Sequence, residues 1–282
     1  MPWKVDNLKP SQPYFVFDTI DFCQEVYLKQ GISHFFTYRL FDETQLRIVP
    51  DGCIDLFFEY GNGHIQGYAC GTRLEFTRQA LNGSNDIFGV RFMPGIRPVI
   101  LDCTMKDILD NKIPIEQVQK SQDTKWLEKL ACETDFYKRI KIFLEEYTRA
   151  EQIQKPPYGK SEIVQTVKQM IYDSDGVIKV HQLSDNTGYS ERYINRIFTD
   201  EMGFSPKTFC KIIQFQRALE YLNYGAPSKM TNAAVSLGYY DQSQFIRDFT
   251  KYAGITPKKY LDMVNKLDYR ERITDYTKLY KL

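Results

Sequence analysis

Between residues 10 and 100 the apolar residues come in short, β-prone runs. IVPDGCIDLFFEYGNGHIQGYACG holds two of them on either side of Gly61-Asn62-Gly63, a hairpin signal. IFGVRFMPG reads as a strand closed by Pro94-Gly95, and LEFTRQAL as another. Short strands at this spacing predict an antiparallel barrel or sandwich. Near residue 104 the period changes. Trp126, Leu130, Phe136, Ile140, Phe143 and Tyr147 recur at helical spacing, and IQKPPYGKS marks a linker near 152–160. Everything beyond reads as helical, with stops at Gly176, Gly188, Gly203, Gly225, Gly238 and Gly254. The pattern predicts an α+β chain of two domains. Residues 1–151 form a β-rich domain with helices from about 104, and 161–264 an all-α domain. An extra helix over 265–282 carries a stripe of Tyr269, Ile273, Tyr276 and Tyr280.

Two segments of the helical part share one plan. In VHQLSDNTGYSERYINRIFTDEMGFSPKTF a short helix stops at Gly188, Ser190 caps the next, and Ser205-Pro206 opens a third. In MTNAAVSLGYYDQSQFIRDFTKYAGITPKKY the same parts are Gly238, Asp241 and Thr256-Pro257. Glycine tolerates the left-handed backbone of a sharp inter-helix turn, Ser and Asp accept bonds from open helix amides, and proline suits a first helical turn. Ile194, Ile197 and Phe198 on one capped helix, and Phe245 and Phe249 on the other, point inward. Their opposite faces carry Arg, Asn and Gln, the side chains that pair with purine edges in the major groove. The expected architecture is a double helix-turn-helix.

Charge supports this modestly. From Tyr158 onward there are 18 Lys+Arg against 14 Asp+Glu, and the preceding residues hold the remaining 19 against 22. The positive excess therefore falls on the half expected to meet phosphates. A hydrophobic content of 43% and a charged content of 26% belong to a globular chain. No apolar run is long enough to span a membrane, and MPWKVDNLKPSQPYF lacks a signal-peptide pattern, so a cytoplasmic location is expected. The six cysteines show no C-x-x-C pair and residues 1–157 contain only His34 and His64, so no metal, no cofactor and no enzymatic activity are expected.

LGYYDQSQFIRDFTKYAGITPKKY resembles the signature of the AraC/XylS family of transcription regulators, and VHQLSDNTGYSERYINRIFTDEMGFSP resembles that family's first helix-turn-helix. The likeness covers roughly 160–264. It implies a bacterial one-component regulator, by expectation an activator, with double-stranded DNA and RNA polymerase as partners. It also implies seven helices, one of them bridging the two units from about Ser205 to Asn223. By position in the motif, Arg192, Asn195 and Arg196 would read bases from the first unit, and Gln242, Gln244 and Arg247 from the second. Ser190, Lys207, Lys211, Lys258 and Lys259 would contact phosphates. Two residues depart from the pattern. Ser184 replaces a packed alanine, which would loosen the first unit, and Gln214 replaces an arginine of the bridging helix.

PDGCIDLFFEY followed by VRFMPG resembles an N-terminal domain of some of these regulators that is related to cupin-like barrels. That implies a small-molecule effector or a protein partner, with Arg91, Phe57 and Phe92 as effector contacts. Arg91 also has a structural reading, as a partner of Asp55 or Glu59, and Asp51 reads as a turn former. The stripe Trp126, Leu130, Phe136, Ile140, Phe143 and Tyr147 would form a homodimer contact. Two alternatives stay open: control by a partner or by abundance with no ligand, and a cysteine-reactive stress sensor using Cys53.

Overall fold

The computed structural model describes residues 11–40, 45–61, 64–79, 86–121, 124–153, 162–224, 230–267, 269–272 and 274–275. A short helix α1 (Pro13–Phe17) precedes strands β1 (Thr19–Val26), β2 (Ile32–Leu40), β3 (Leu46–Ile48), β4 (Asp55–Gly61), β5 (His64–Cys70), β6 (Thr77–Gln79) and β7 (Asp86–Phe92). Then come α2 (Met105–Ile108), β8 (Lys112–Pro114), α3 (Ile115–Val118), α4 (Lys125–Cys132) and α5 (Phe136–Ile153). The expected hairpin is β4–β5, which closes with Gly61 opposite His64. Most of the expected linker lies outside the described residues, as do Gly225, Ile273, Tyr276 and Tyr280.

The main sheet runs β8-β5-β4-β7-β2-β1 and ends on β9 (Thr274–Asp275), while β3 and β6 pair separately. All its pairs are antiparallel except β1 with β9. The sheet is open, not a closed barrel. Period-two alternation sorts its side chains onto two faces. Phe35, Phe58, Phe88 and Phe92 face one apolar cluster, and Phe36, Tyr38 and Phe57 face another. Gly89 permits this at the β2–β7 crossing, because a β-carbon there would meet the Phe36 ring at 2.0 Å.

Helices α4 and α5 cover the first face. Phe143 meets Phe35 edge-on at 5.9 Å and stacks on Tyr147 at 5.6 Å, and Trp126 meets Phe58 at 5.6 Å. Trp126, Leu130, Ile140, Phe143 and Tyr147 are buried there, and Phe136 packs on the same cluster. The stripe expected as a dimer contact thus packs against the chain's own sheet.

Seven helices follow, α6 (Glu162–Asp173), α7 (Val180–Thr187), α8 (Glu191–Met202), α9 (Pro206–Tyr224), α10 (Met230–Ser236), α11 (Gln242–Ala253) and α12 (Pro257–Lys266). The expected C-terminal helix is interrupted. Among the described residues beyond 267, Tyr269–Arg272 (α13) is helical, and β9 then adds to the sheet edge opposite Cys23 and Gln24. The open edge of β1 supplies backbone partners that a longer helix would forgo. Tyr269 anchors the turn, buried 5.2 Å from Phe17.

The second face of the sheet is covered by α1 and the helical half, so one apolar cluster joins the two. It runs from Tyr14, Phe15 and Phe57 to Phe215, Leu219, Phe249 and Tyr260. Polar contacts fasten the seam. The Tyr14 hydroxyl donates to the Ala253 carbonyl (2.6 Å) and Gln216 Nε2 to the Pro50 carbonyl (2.7 Å). Lys168 Nζ donates to the Pro94 carbonyl (2.9 Å).

Lys168 is 3% exposed, and burial holds its ammonium down to about 8 from an ordinary 10.5. Below about 8 both the folded and unfolded chains keep the proton. Between about 8 and 10.5 only the unfolded chain binds it, so stability rises with pH through that window, by up to about 3 kcal/mol. Lys168→Met should flatten this rise when thermal midpoints are compared from pH 7 to 10. Parallel curves for the two proteins would show that the ammonium is not desolvated.

Candidate nucleic-acid interface

Each recognition helix is set by its own local chemistry. Helix α7 stops at Gly188 (φ 73°), and the Ser190 hydroxyl accepts from the Tyr193 amide (3.3 Å) to start α8, which stops at Gly203 (φ 85°). Helix α10 is followed by Gly238 (φ 72°), and the Asp241 carboxylate accepts from the Gln244 amide (2.7 Å) to start α11, which stops at Gly254 (φ 72°). Each such cap is worth about 1 kcal/mol. Gly254 also admits the sheet half, since a β-carbon would meet the Phe76 ring at 2.7 Å.

Both helices bury one face. Ile194, Phe198 and Met202 of α8 pack with Leu183 of α7 and Ile171 of α6. Phe245 and Phe249 of α11 pack with Phe215 of α9 and Tyr260 of α12. The bridging α9, 19 residues long and therefore about 28 Å, joins the two units. That length is comparable to one duplex turn of about 34 Å.

On the outward faces Arg192, Arg196 and Arg247 are exposed, and Asn195, Gln242 and Gln244 half-buried. Some of these side chains already hold partners. Asn195 Nδ2 donates to the Glu191 carbonyl (3.0 Å), and Gln244 Oε1 accepts from the Tyr240 amide (3.2 Å). Lys207, Lys258 and Lys259 are exposed at the starts of α9 and α12. Lys211 is placed differently from the other lysines, half-buried and paired with Asp248 at 2.9 Å, so its charge is already matched. The Arg196 guanidinium lies 5.2 Å above the Tyr193 ring.

The two departures from the family pattern are built in. The Ser184 hydroxyl donates to the Tyr189 carbonyl (2.6 Å), tying the turn of the first unit instead of loosening it. Gln214 is buried, and its Nε2 donates to the Leu237 carbonyl (3.0 Å) at the end of α10, a place where an arginine would bury an extra charge.

The effector contacts expected in the sheet half do not converge. Phe92 belongs to the α5 side of the sheet, and Phe57 and Arg91 to the other. Arg91 is 1% exposed. Its Nε donates to Asp55 (2.8 Å), a second nitrogen donates to the other Asp55 oxygen (2.5 Å), and a third lies 3.0 Å from Asp51. Asp51 also accepts from the Cys53 amide (2.9 Å) and from Gln12 (2.7 Å). Two carboxylates thus more than match the single guanidinium, leaving no spare positive charge for an anionic ligand. Cys53 is buried, and burial together with Asp51 pushes its thiol well above the usual range, which removes the exposure and the thiolate that a reactive sensor needs. A cleft of about 110 Å³ does open where the halves meet, lined by Phe15, Phe22, His34, Arg91, Tyr224 and Tyr269. Among the described residues no group of three or more His, Cys, Asp or Glu side chains is placed to hold a metal. None of the described helices is long and apolar enough to cross a membrane.

Paired helix-turn-helix units on a shared bridging helix, carried behind an antiparallel sheet, define a DNA-binding regulator. The helix-turn-helix domain family matches residues 183–263, and a domain of unknown function, DUF6597, matches 25–114. A probable AraC family transcriptional regulator from Rhodopseudomonas palustris CGA009 is 31% identical over 37% of this chain and 98% of its own, with a TM-score of 0.33. The C-terminal domain of AraT, a response regulator from Geobacillus stearothermophilus, is 24% identical over 43% of this chain and 95% of its own (TM-score 0.33). ToxT from Vibrio cholerae is 10% identical over 83% of this chain and 99% of its own (TM-score 0.47). No curated protein matches the chain. The C-terminal part of the chain is thus a helix-turn-helix domain of the AraC type.

Proposed function

We propose that the chain is a one-component activator that reads two successive major-groove segments. Arg192, Asn195 and Arg196 on α8 and Gln242, Gln244 and Arg247 on α11 act as base readers. Lys207, Lys258, Lys259 and the N-terminus of α8 at Ser190 hold the phosphates. The observation that carries this reading is the presentation of two capped amphipathic helices with exposed arginines, one from each unit of a duplicated motif.

We also propose that the N-terminal half sets the grip on DNA in response to a small molecule. Both units are fastened to the sheet half, the first through Lys168 and Pro94 and the second through Ala253 and Tyr14. A ligand in the junction cleft would touch Tyr224 and Tyr269 of the helical half and Phe22 and His34 of the sheet at once. A ligand preferring one docking arrangement shifts the balance only by its differential affinity for the two states. RNA polymerase is the second partner of the activator reading.

The test is selection of bound duplexes from a random pool, followed by salt titration. Affinity should fall steeply with salt. Lys258→Ala and Lys259→Ala should each lower the log–log slope by about 0.9 and weaken selected and random DNA alike. A pool that shows no enrichment would refute sequence reading, and an unchanged slope would remove the two lysines from the phosphate contacts.

A further inference from the structure

Tyrosine stands at one equivalent position of both units and serves neither core. Tyr189 immediately precedes the cap Ser190, and Tyr240 immediately precedes the cap Asp241. They are 44% and 93% exposed. The contrast with Tyr239 is informative. It is 6% exposed and packs 5.2 Å from Phe245, so the turn of the second unit meets its apolar requirement one residue earlier. Tyr240 is left pointing away from the protein.

The main chain of each exposed tyrosine is tethered by a side chain of its own unit. The Ser184 hydroxyl donates to the Tyr189 carbonyl (2.6 Å), and Gln244 Oε1 accepts from the Tyr240 amide (3.2 Å). In the first unit the ring is held as well. Tyr189 stacks on Tyr193 at 5.3 Å with planes 25° apart, and Arg196 sits over Tyr193, so ring, ring and guanidinium form a ladder along the outward side of α8. A rigid aromatic presented at low conformational cost beside an arginine suits a contact surface.

We infer that Tyr189 and Tyr240 each lay their ring against a thymine methyl group in the major groove, one in each half of the site. The inference rests on the reading that α8 and α11 enter the groove. The start of a recognition helix is the part that reaches base edges. The thymine methyl is the apolar feature of the major-groove edge, and an uncharged ring is matched to it better than to phosphate.

The experiment uses the full chain and a site selected from random duplexes, with each thymine replaced in turn by uracil. That exchange removes one methyl and preserves pairing. Wild type should lose roughly fourfold in affinity at one thymine in each half, the value of one buried methyl. Tyr240→Ala should abolish that sensitivity in the half weakened by Arg247→Ala, and Tyr189→Ala in the half weakened by Arg196→Ala. Tyr240→Phe should behave as wild type. A uracil scan of Tyr240→Ala identical to that of wild type overturns the inference. So does a Tyr240→Phe loss equal to the Tyr240→Ala loss with no uracil-sensitive thymine, which would assign the hydroxyl to phosphate. If the helices do not enter the groove at all, Arg196→Ala and Arg247→Ala weaken every duplex equally, which separates failure of that reading from failure of this one.

Discussion

Replacing Asp55 with alanine is expected to destabilise the chain by about 3–5 kcal/mol, measured as a shift in the urea midpoint at constant slope. Arg91 lies in an apolar layer with the Phe15 ring 5.5 Å from its guanidinium, and Asp55 supplies its two closest acceptors. Without Asp55 the charge keeps Asp51 alone, and Asp51 is shared with Gln12 and the Cys53 amide. The cost is that of leaving two nitrogens of a buried guanidinium without their acceptors, and it is a large fraction of the roughly 5–15 kcal/mol that holds a typical protein folded. The damage should spread to the seam between the halves, because Pro50, beside Asp51, accepts from Gln216 of α9. A loss below about 1 kcal/mol would show that water reaches Arg91.

Arg196→Ala and Arg247→Ala are each expected to weaken binding to the selected site by about 1–3 kcal/mol, a five- to 150-fold loss, with much smaller effects on random duplexes. Both side chains are exposed on the outward face of a capped helix, so truncation should leave the thermal midpoint nearly unchanged. Arg196 is the better oriented of the two, resting on Tyr193, and its loss should be the larger. Equal losses on selected and random DNA would make both residues phosphate contacts.

The helical half was the most legible part of the chain. Glycine stops, polar caps and Ser/Thr-Pro openings act within a few residues, and local chemistry of that kind is written locally. Gly188, Ser190, Gly203, Gly238, Asp241 and Gly254 all stand at the turns and caps that their residue types require. The strands were legible as runs, but alternation does not say whether a sheet closes, and here β1 ends the antiparallel array and takes on β9. The stripe on α5 showed which side chains are apolar without showing what covers them. The fate of Tyr269 and of α1 was hidden for a related reason. Some of their partners lie more than 200 residues away in sequence, in contacts such as Phe17 with Tyr269 and Tyr14 with Ala253. Arg91 illustrates the limit at a single residue: the sequence offered both a ligand anchor and a structural pair, and two carboxylates from the adjacent loop and strand decide for the pair. The exposed Tyr189 and Tyr240 were not singled out, because an aromatic beside a helix cap reads as core until its burial is known.

The central claim is that two recognition helices read two neighbouring groove segments. The most direct measurement is selection from random duplexes with wild type, Arg196→Ala and Arg247→Ala in parallel. The account predicts a two-part site with half-site centres about one helical turn, 10–10.5 base pairs, apart. Arg196→Ala should relax preference in one half only, and Arg247→Ala in the other only. Selected sites with a single preferred segment, or the same positions relaxed by both variants, would contradict it.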